Sequence, residues 1–429
     1  MFAVGGGMSI FVNRKDELEQ LGRSTAGLIV LFGRRRVGKT TLIERWGRNC
    51  NLHYSQAIEG AEPIQISQLL DDLSSVLPQG LRAESWKEFF PILSLIKEDC
   101  VIAIDEFPYL VKSQPSLPSR LQKWMDHDRP PHVRLVLLGS SQTMMNSIFL
   151  NSSAPLYERA DLILHISPMG YRFFCEAVGL DPMLPENFEK FSLVGGVPRY
   201  WSYIDKNDGV TQIADKLFFS KSALLESEPD RLLRDEDVNG MQAKSIFECI
   251  GRGANKSSEI ASRMGIEQTA LSKPLQLLMH ASLINRSLPF GESPRSSKRT
   301  LYSIADFALT FWYGSYSPHR SRWHLYDQEQ KQKIIHDHAA LVLEECYRNQ
   351  FPDGSRYWEG QHVEIDCVRN SRKPRHVIIT EIKHRPIQES EASTLKADLE
   401  EKFARSKLAG NFKLDHVEVF GTKDVLARL

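Results

Sequence analysis

The stretch Gly33-Arg34-Arg35-Arg36-Val37-Gly38-Lys39-Thr40 decides how this 429-residue chain is read. It follows the apolar run Leu28-Ile29-Val30-Leu31-Phe32 and leads into Thr41-Leu42-Ile43-Glu44-Arg45-Trp46. The order is strand, G-x-x-x-x-G-K-T loop, helix, which is the arrangement of a phosphate-binding loop. Each residue type has a chemical reason. Glycine lets backbone N–H groups close around β- and γ-phosphates. Lys39 adds a mobile point charge, Thr40 offers a hydroxyl to Mg²⁺, and the helix start favours an anion. Residues Gly33, Arg34, Arg35, Arg36, Val37, Gly38, Lys39, Thr40 and Thr41 are therefore the candidate nucleotide-binding set, with ATP and Mg²⁺ as the expected ligands.

The second part of such a site is expected downstream. Val101-Ile102-Ala103-Ile104-Asp105-Glu106 reads as a buried strand ending in two carboxylates. Asp105 suits a water-mediated hold on Mg²⁺, and Glu106 suits orienting and deprotonating an attacking water. The run Val133 to Leu138 ends in Gly139-Ser140-Ser141, where a polar side chain between the two motifs can sense the γ-phosphate. A solvated acid pair at a strand end is the alternative for Asp105 and Glu106 taken alone.

Bulk composition narrows the class. A chain this long exceeds one hydrophobic core, so two or three domains are expected. Lys+Arg and Asp+Glu both number 54, so net charge neither favours nor opposes nucleic acid. Cys50, Cys100, Cys175, Cys249, Cys346 and Cys367 form no C-x-x-C pair, which speaks against a zinc ribbon and suits a reducing, cytoplasmic setting. No apolar run reaches the roughly 18 residues of a membrane span, and no basic segment precedes an apolar core as in a secretory signal. Met8 is an alternative start after a Gly-rich extension.

The pattern predicts an α/β segment over 9–205 with strands at Leu28–Phe32, Leu52–Ser55, Val101–Ile104, Val133–Leu138 and Leu162–Ile166, turning helical after Ile166 to form a lid. A helical linker over 206–242 follows. Over 243–315, three helices and two short strands read as a winged helix, with Ser257 as a helix cap. As a DNA reader it would use Thr269, Ser272 and Lys273, with Arg286, Arg295, Lys298 and Arg299 on phosphates. A packing or partner module is the alternative. Over 325–429 the order is α-β-β-β-α-β. There Asp366 ends one strand, and Glu381-Ile382-Lys383 lies on its neighbour. By period two, Glu381 and Lys383 share a face while Ile382 points the other way. Two carboxylates can hold Mg²⁺ or Mn²⁺, and the ammonium can position water or stabilise a pentavalent phosphate. A charged solvent-facing strand edge is the alternative.

Together these motifs resemble a known family. Phe11-Val12-Asn13-Arg14-Lys15-Asp16-Glu17-Leu18, Asp105-Glu106-Phe107-Pro108-Tyr109-Leu110, Leu138-Gly139-Ser140-Ser141, Pro155-Leu156-Tyr157-Glu158-Arg159 and Gly195-Gly196-Val197-Pro198-Arg199-Tyr200 look like the archaeal ATPase family, near the STAND branch of AAA+-like P-loop ATPases. The C-terminal part resembles that family's companion domain, related to PD-(D/E)XK nucleases. The resemblance implies that Arg159 is a γ-phosphate or inter-subunit arginine, with a homo-oligomer as one expectation, and that Gly196-Val197-Pro198 is a nucleotide-contacting turn. It also implies that Glu344, with Glu345 as fallback, is the nuclease-like helix acid, making Glu344, Asp366 and Glu381 the metal ligands beside Lys383. Around that acid, Ala340 and Leu343 stand where the family usually has Gly and Phe. Three functions follow as alternatives: an ATPase coupled to a metal-dependent DNA nuclease, an ATP-dependent switch with a non-catalytic C-terminal fold, or a DNA-binding regulator.

Overall fold

Leu28–Phe32 is five consecutive apolar residues, and all five are buried. Only a strand inside a sheet covered on both faces tolerates that pattern. In a computed structural model of the chain, residues 11–429 are described apart from 237, 239, 294–298 and 361. Met8, Arg295 and Lys298, singled out above, lie outside the described residues. Leu28–Phe32 is β1 of a five-stranded parallel sheet with β2 (Leu52–Gln56), β3 (Cys100–Asp105), β4 (Val133–Gly139) and β5 (Leu162–His165), in the order β2-β3-β4-β1-β5. All five strands fall where the sequence predicts them, with ends shifted by at most one residue. The decisive feature is the crossover. β4 sits between β1 and β3, so the loop after β1 and the carboxylates after β3 flank the end of β4.

The chain divides into two compact units. One contains Asn13–Pro168 and a short return segment around Asp235 and Glu236. Its helices bury an aromatic face beneath the sheet. Trp86, Phe89 and Leu93 are each 1% exposed, and Phe90 stacks on Trp124 with ring centroids 5.6 Å apart. Full burial of one such side chain stabilises by roughly 1.5–3 kcal/mol.

The other unit contains Met169–Leu233 and Val238–Leu429. The helices Tyr171–Val178 and Pro185–Val194, grouped with the phosphate loop by the sequence, share a core here with Phe311, Leu343 and Ile382. Phe188 and Phe191 form an apolar stripe, and a stripe states that a partner exists without naming it. Three helices, Gly240–Gly251, Ser257–Met264 and Ser272–His280, precede an antiparallel pair, β6 (Ile284–Ser287) and β7 (Leu301–Ile304). Two details correct the expectation. Ser257 is the first helical residue, with Lys256 in the cap position, where Glu259 reaches back to its N–H. The third helix begins with a separate 3₁₀ turn, Gln268–Leu271.

The last segment starts with Gln328–Arg348, capped by Asp327, which accepts from Gln330 N while Gln330 accepts from Asp327 N. Then come β8 (Ser355–Glu359), β9 (Val363–Asn370), β10 (His376–Ile382), the helix Glu389–Arg405 and β11 (Lys413–Phe420), in the sheet order β11-β10-β9-β8. β10 runs antiparallel to β9 and parallel to β11. A short helix, Thr422–Leu426, follows β11. Among the described residues no helix is long and apolar enough to cross a membrane.

Candidate functional site

The loop after β1 needs glycine at both ends for different reasons. A Cβ on Gly33 would lie 2.3 Å from the Ile166 carbonyl oxygen, and Gly38 has φ 97°, in the left-handed region. Between them Arg36 also adopts positive φ, at 71°. Val37 is fully buried, and Arg14 holds it from below by donating to the Val37 and Ser167 carbonyls. Arg34 is buried. Arg35 is half-exposed and pairs with Asp235 at 2.7 Å. Burial opposes the Arg35 charge, but the Asp235 carboxylate raises its pKa on balance. Thr41 is exposed on the first helical turn.

Lys39 is 5% exposed and donates to Gly33 O at 2.8 Å, Arg34 O at 3.3 Å and Ser140 Oγ at 2.9 Å. Burial pushes its pKa down, and the Glu106 and Asp105 carboxylates counter that. Ser140 in turn donates to Glu106 Oε1 at 2.7 Å, and its N–H reaches Glu106 Oε2 at 3.3 Å. This is the consequence of the sheet order. Ser140 follows the middle strand, so its hydroxyl links the cation of the first motif to the acid of the second. Glu106 is held at φ 54°, a left-handed conformation costing about 1–2 kcal/mol for a residue with a Cβ. Thr40 Oγ1 donates to Asp105 Oδ2 at 2.7 Å. A hydroxyl beside a carboxylate is a hard-oxygen donor set that fits Mg²⁺.

Three residues at this edge were missed by the sequence reading. Tyr54 donates to Asp105 Oδ2 at 2.9 Å; burial and that carboxylate push its phenol up. Glu236 accepts from Gln142 N at 3.0 Å, Thr143 N at 3.1 Å and Ser141 Oγ at 3.3 Å. Asp235 is the third. The last two lie 93–200 residues from their partners in a stretch read as linker, so no local signal points to them.

Arg159 is not brought to this edge. It pairs with Asp126 at 3.0 Å. Two residues on, Asp161 accepts from Gly27 N and Leu28 N, at the amino end of β1. The phosphate loop is at the carboxyl end, about 16 Å away along a five-residue strand. Arg159 therefore does not reach the γ-phosphate position of its own chain.

A second cluster forms in the other unit. The β9/β10 register pairs Thr380 with Cys367, which sets Asp366 opposite Glu381 one step on. Asp366 accepts from Ile382 N at 2.8 Å, and Lys383 Nζ donates to Glu381 Oε1 at 2.5 Å. Glu344 approaches from the helix Gln328–Arg348, paired with Arg348 at 3.5 Å, and Arg348 also donates to Asp366 O at 2.9 Å. Burial, then the Glu344 and Glu381 carboxylates, push the Asp366 carboxyl up to about 7. Burial also raises Glu344, against the pull of Arg348 and Arg356. Crowded, desolvated carboxylates are the donor set that a divalent cation relieves. Glu345 is raised by burial with Arg348 as its opposing charge.

Residues 11–204 match the model of an ATPase domain found predominantly in Archaea. That segment, which holds the phosphate loop, is an ATPase domain. An uncharacterized protein of Methanocaldococcus jannaschii is 26% identical over 433 residues, covering 94% of this chain and 93% of that protein. An uncharacterized ATP-binding protein of the same organism is 55% identical over 47 residues, covering 10% of this chain and 80% of that protein. A Walker-type ATPase of Pyrococcus abyssi superposes with a TM-score of 0.52 at 21% identity, covering 70% of this chain and 94% of that one. This last likeness speaks to fold. The family match ends before the Gly240–Ile304 helices and strands and before the Asp366 cluster.

Proposed function

We propose that this protein couples ATP hydrolysis to a metal-dependent phosphodiesterase acting on DNA. In the ATPase part, Lys39 and the loop Gly33–Gly38 hold the β- and γ-phosphates, Thr40 and Asp105 hold Mg²⁺, and Glu106 orients and deprotonates water. Ser140 keeps Lys39 and Glu106 in register. In the C-terminal part, Glu344, Asp366 and Glu381 hold Mg²⁺ or Mn²⁺, which supplies charge neutralisation at the scissile phosphate. Lys383 stands beside that position as the cationic partner. The helices and β6–β7 hairpin over 240–304 serve as a winged helix on DNA backbone, with Lys273, Arg286 and Arg299 as cations. Arg159, exposed at the far sheet edge, is left for a contact between copies. The six thiols suit a cytoplasmic protein.

The observation that carries the nuclease reading is the convergence of Glu344, Asp366, Glu381 and Lys383 from a helix and two strands. One observation favours a second reading, an ATP-dependent switch. Arg348, Arg356 and Lys383 already face these acids, so the cluster could serve as a closed ion network. Nuclease assays on plasmid and linear DNA with Mg²⁺ or Mn²⁺, with and without ATP, separate the two. Cleavage by the wild type that is lost in Asp366→Ala and Lys383→Ala supports the first. Absent cleavage, together with no Mn²⁺ binding by calorimetry, leaves the switch.

A further inference from the structure

Three side chains outside both clusters meet in the larger unit. Glu189 lies on the helix Pro185–Val194, His336 on Gln328–Arg348, and His384 directly after Lys383. Their ligand atoms all lie within 4.8 Å of one another. His336 Nδ1 is 2.9 Å and His384 Nε2 is 3.4 Å from the same oxygen, Glu189 Oε1. We infer that Glu189, His336 and His384 form a binding site for a zinc-class divalent cation.

His384 is the deciding ligand. Its side chain is 2% exposed, and its Nε2 is buried with no hydrogen-bond partner. The other ring nitrogen, Nδ1, lies 3.3 Å from Thr422 Oγ1. When that hydroxyl accepts the Nδ1 proton, Nε2 keeps its lone pair, 3.4 Å from the carboxylate oxygen. Two lone pairs so placed repel unless a cation lies between them. Tetrahedral zinc with ligands at about 2.0–2.1 Å sets neighbouring ligand atoms about 3.3 Å apart, close to the spacing observed here. Thr422 then plays the outer role that fixes the tautomer of a ligating histidine. His336 supplies the third ligand. Its ring stacks on His384 at 4.3 Å, and its side chain is 46% exposed, so the ring can turn its lone pair inward and solvent can fill a fourth position. Two imidazoles and one carboxylate suit zinc better than Mg²⁺, which prefers oxygen donors. The bound ion would tie two helices to the strand end that carries Glu381 and Lys383.

The test uses the full chain, stripped with chelator and titrated with ZnCl₂ by calorimetry and with CoCl₂ by visible absorption. One zinc equivalent lost in His336→Asn and weakened at least about 100-fold in Glu189→Gln is expected, with Thr422→Val weakening it about 10–100-fold. Because His336 is exposed, His336→Asn is expected to fold normally, which circular dichroism checks. Tetrahedral cobalt bands should appear in the wild type and vanish in that variant. An unchanged zinc stoichiometry in folded His336→Asn would place the ion elsewhere and overturn the proposal, as would absence of zinc binding by the wild type.

Discussion

Ser140 is a hydroxyl held between opposite charges, accepting from Lys39 and donating to Glu106. In the proposed nucleotide site Lys39 is the main side-chain cation for the phosphates, so Lys39→Ala should abolish detectable nucleotide binding. Glu106→Gln preserves shape and the Asp105 site but removes the proposed base. It should keep nucleotide affinity while turnover falls at least about 100-fold. Ser140→Ala leaves both charged residues in place but loosens their geometry. Its turnover should fall about 10–100-fold with affinity changed less than about threefold, a split that marks positioning rather than binding. Affinity and phosphate release measured separately check all three. Equal losses in affinity and turnover for Ser140→Ala would assign it to phosphate binding instead.

At the scale of elements, the return segment after Leu233 is the part of the ATPase unit that comes from far along the chain. Glu236 gives two backbone N–H groups, of Gln142 and Thr143, their acceptor. Burial raises its pKa despite those bonds, so the carboxylate is a costly group placed where it satisfies costly donors. Glu236→Ala leaves the donors buried without an acceptor and should destabilise the unit by about 1–3 kcal/mol. Urea denaturation followed by Trp fluorescence measures this. A change below about 0.5 kcal/mol would mean that water replaces the carboxylate there.

At the scale of the whole molecule, His338 titrates within the core of the larger unit. It is buried, bonds through Nε2 to Ser192 O at 2.9 Å, and packs edge-on to Phe311 at 5.1 Å. Burial pushes its pKa down to about 4, against the Ser192 bond and the Asp306 charge. The unfolded chain takes up this proton near pH 6.5, earlier than the native state does. Stability is therefore lost as pH falls from about 6.5 to about 4, by at most about 3 kcal/mol, and is flat outside that window. Denaturation midpoints at pH 7 and pH 5 should differ less in His338→Gln than in the wild type. An equal difference would locate the acid sensitivity in other groups.

The chain's own pattern determined what is local: the phosphate loop, the five strands within a residue at their ends, and the alternation that sets Glu381 and Lys383 on one face. These follow from periodicity, from glycine's access to positive φ, and from apolar runs, all of which act over a few residues. Only the tertiary structure decided what depends on neighbours. The insertion of β4 between β1 and β3 made Ser140 the link between Lys39 and Glu106. The sheet's polarity removed Arg159 from its own chain's phosphate edge. The return of Asp235 and Glu236, and the meeting of Glu189, His336 and His384 across spans of 48 to 195 residues, have no local signature. Such contacts are selected by burial and charge once the chain has closed, and closure over long loops leaves no periodic trace in the sequence.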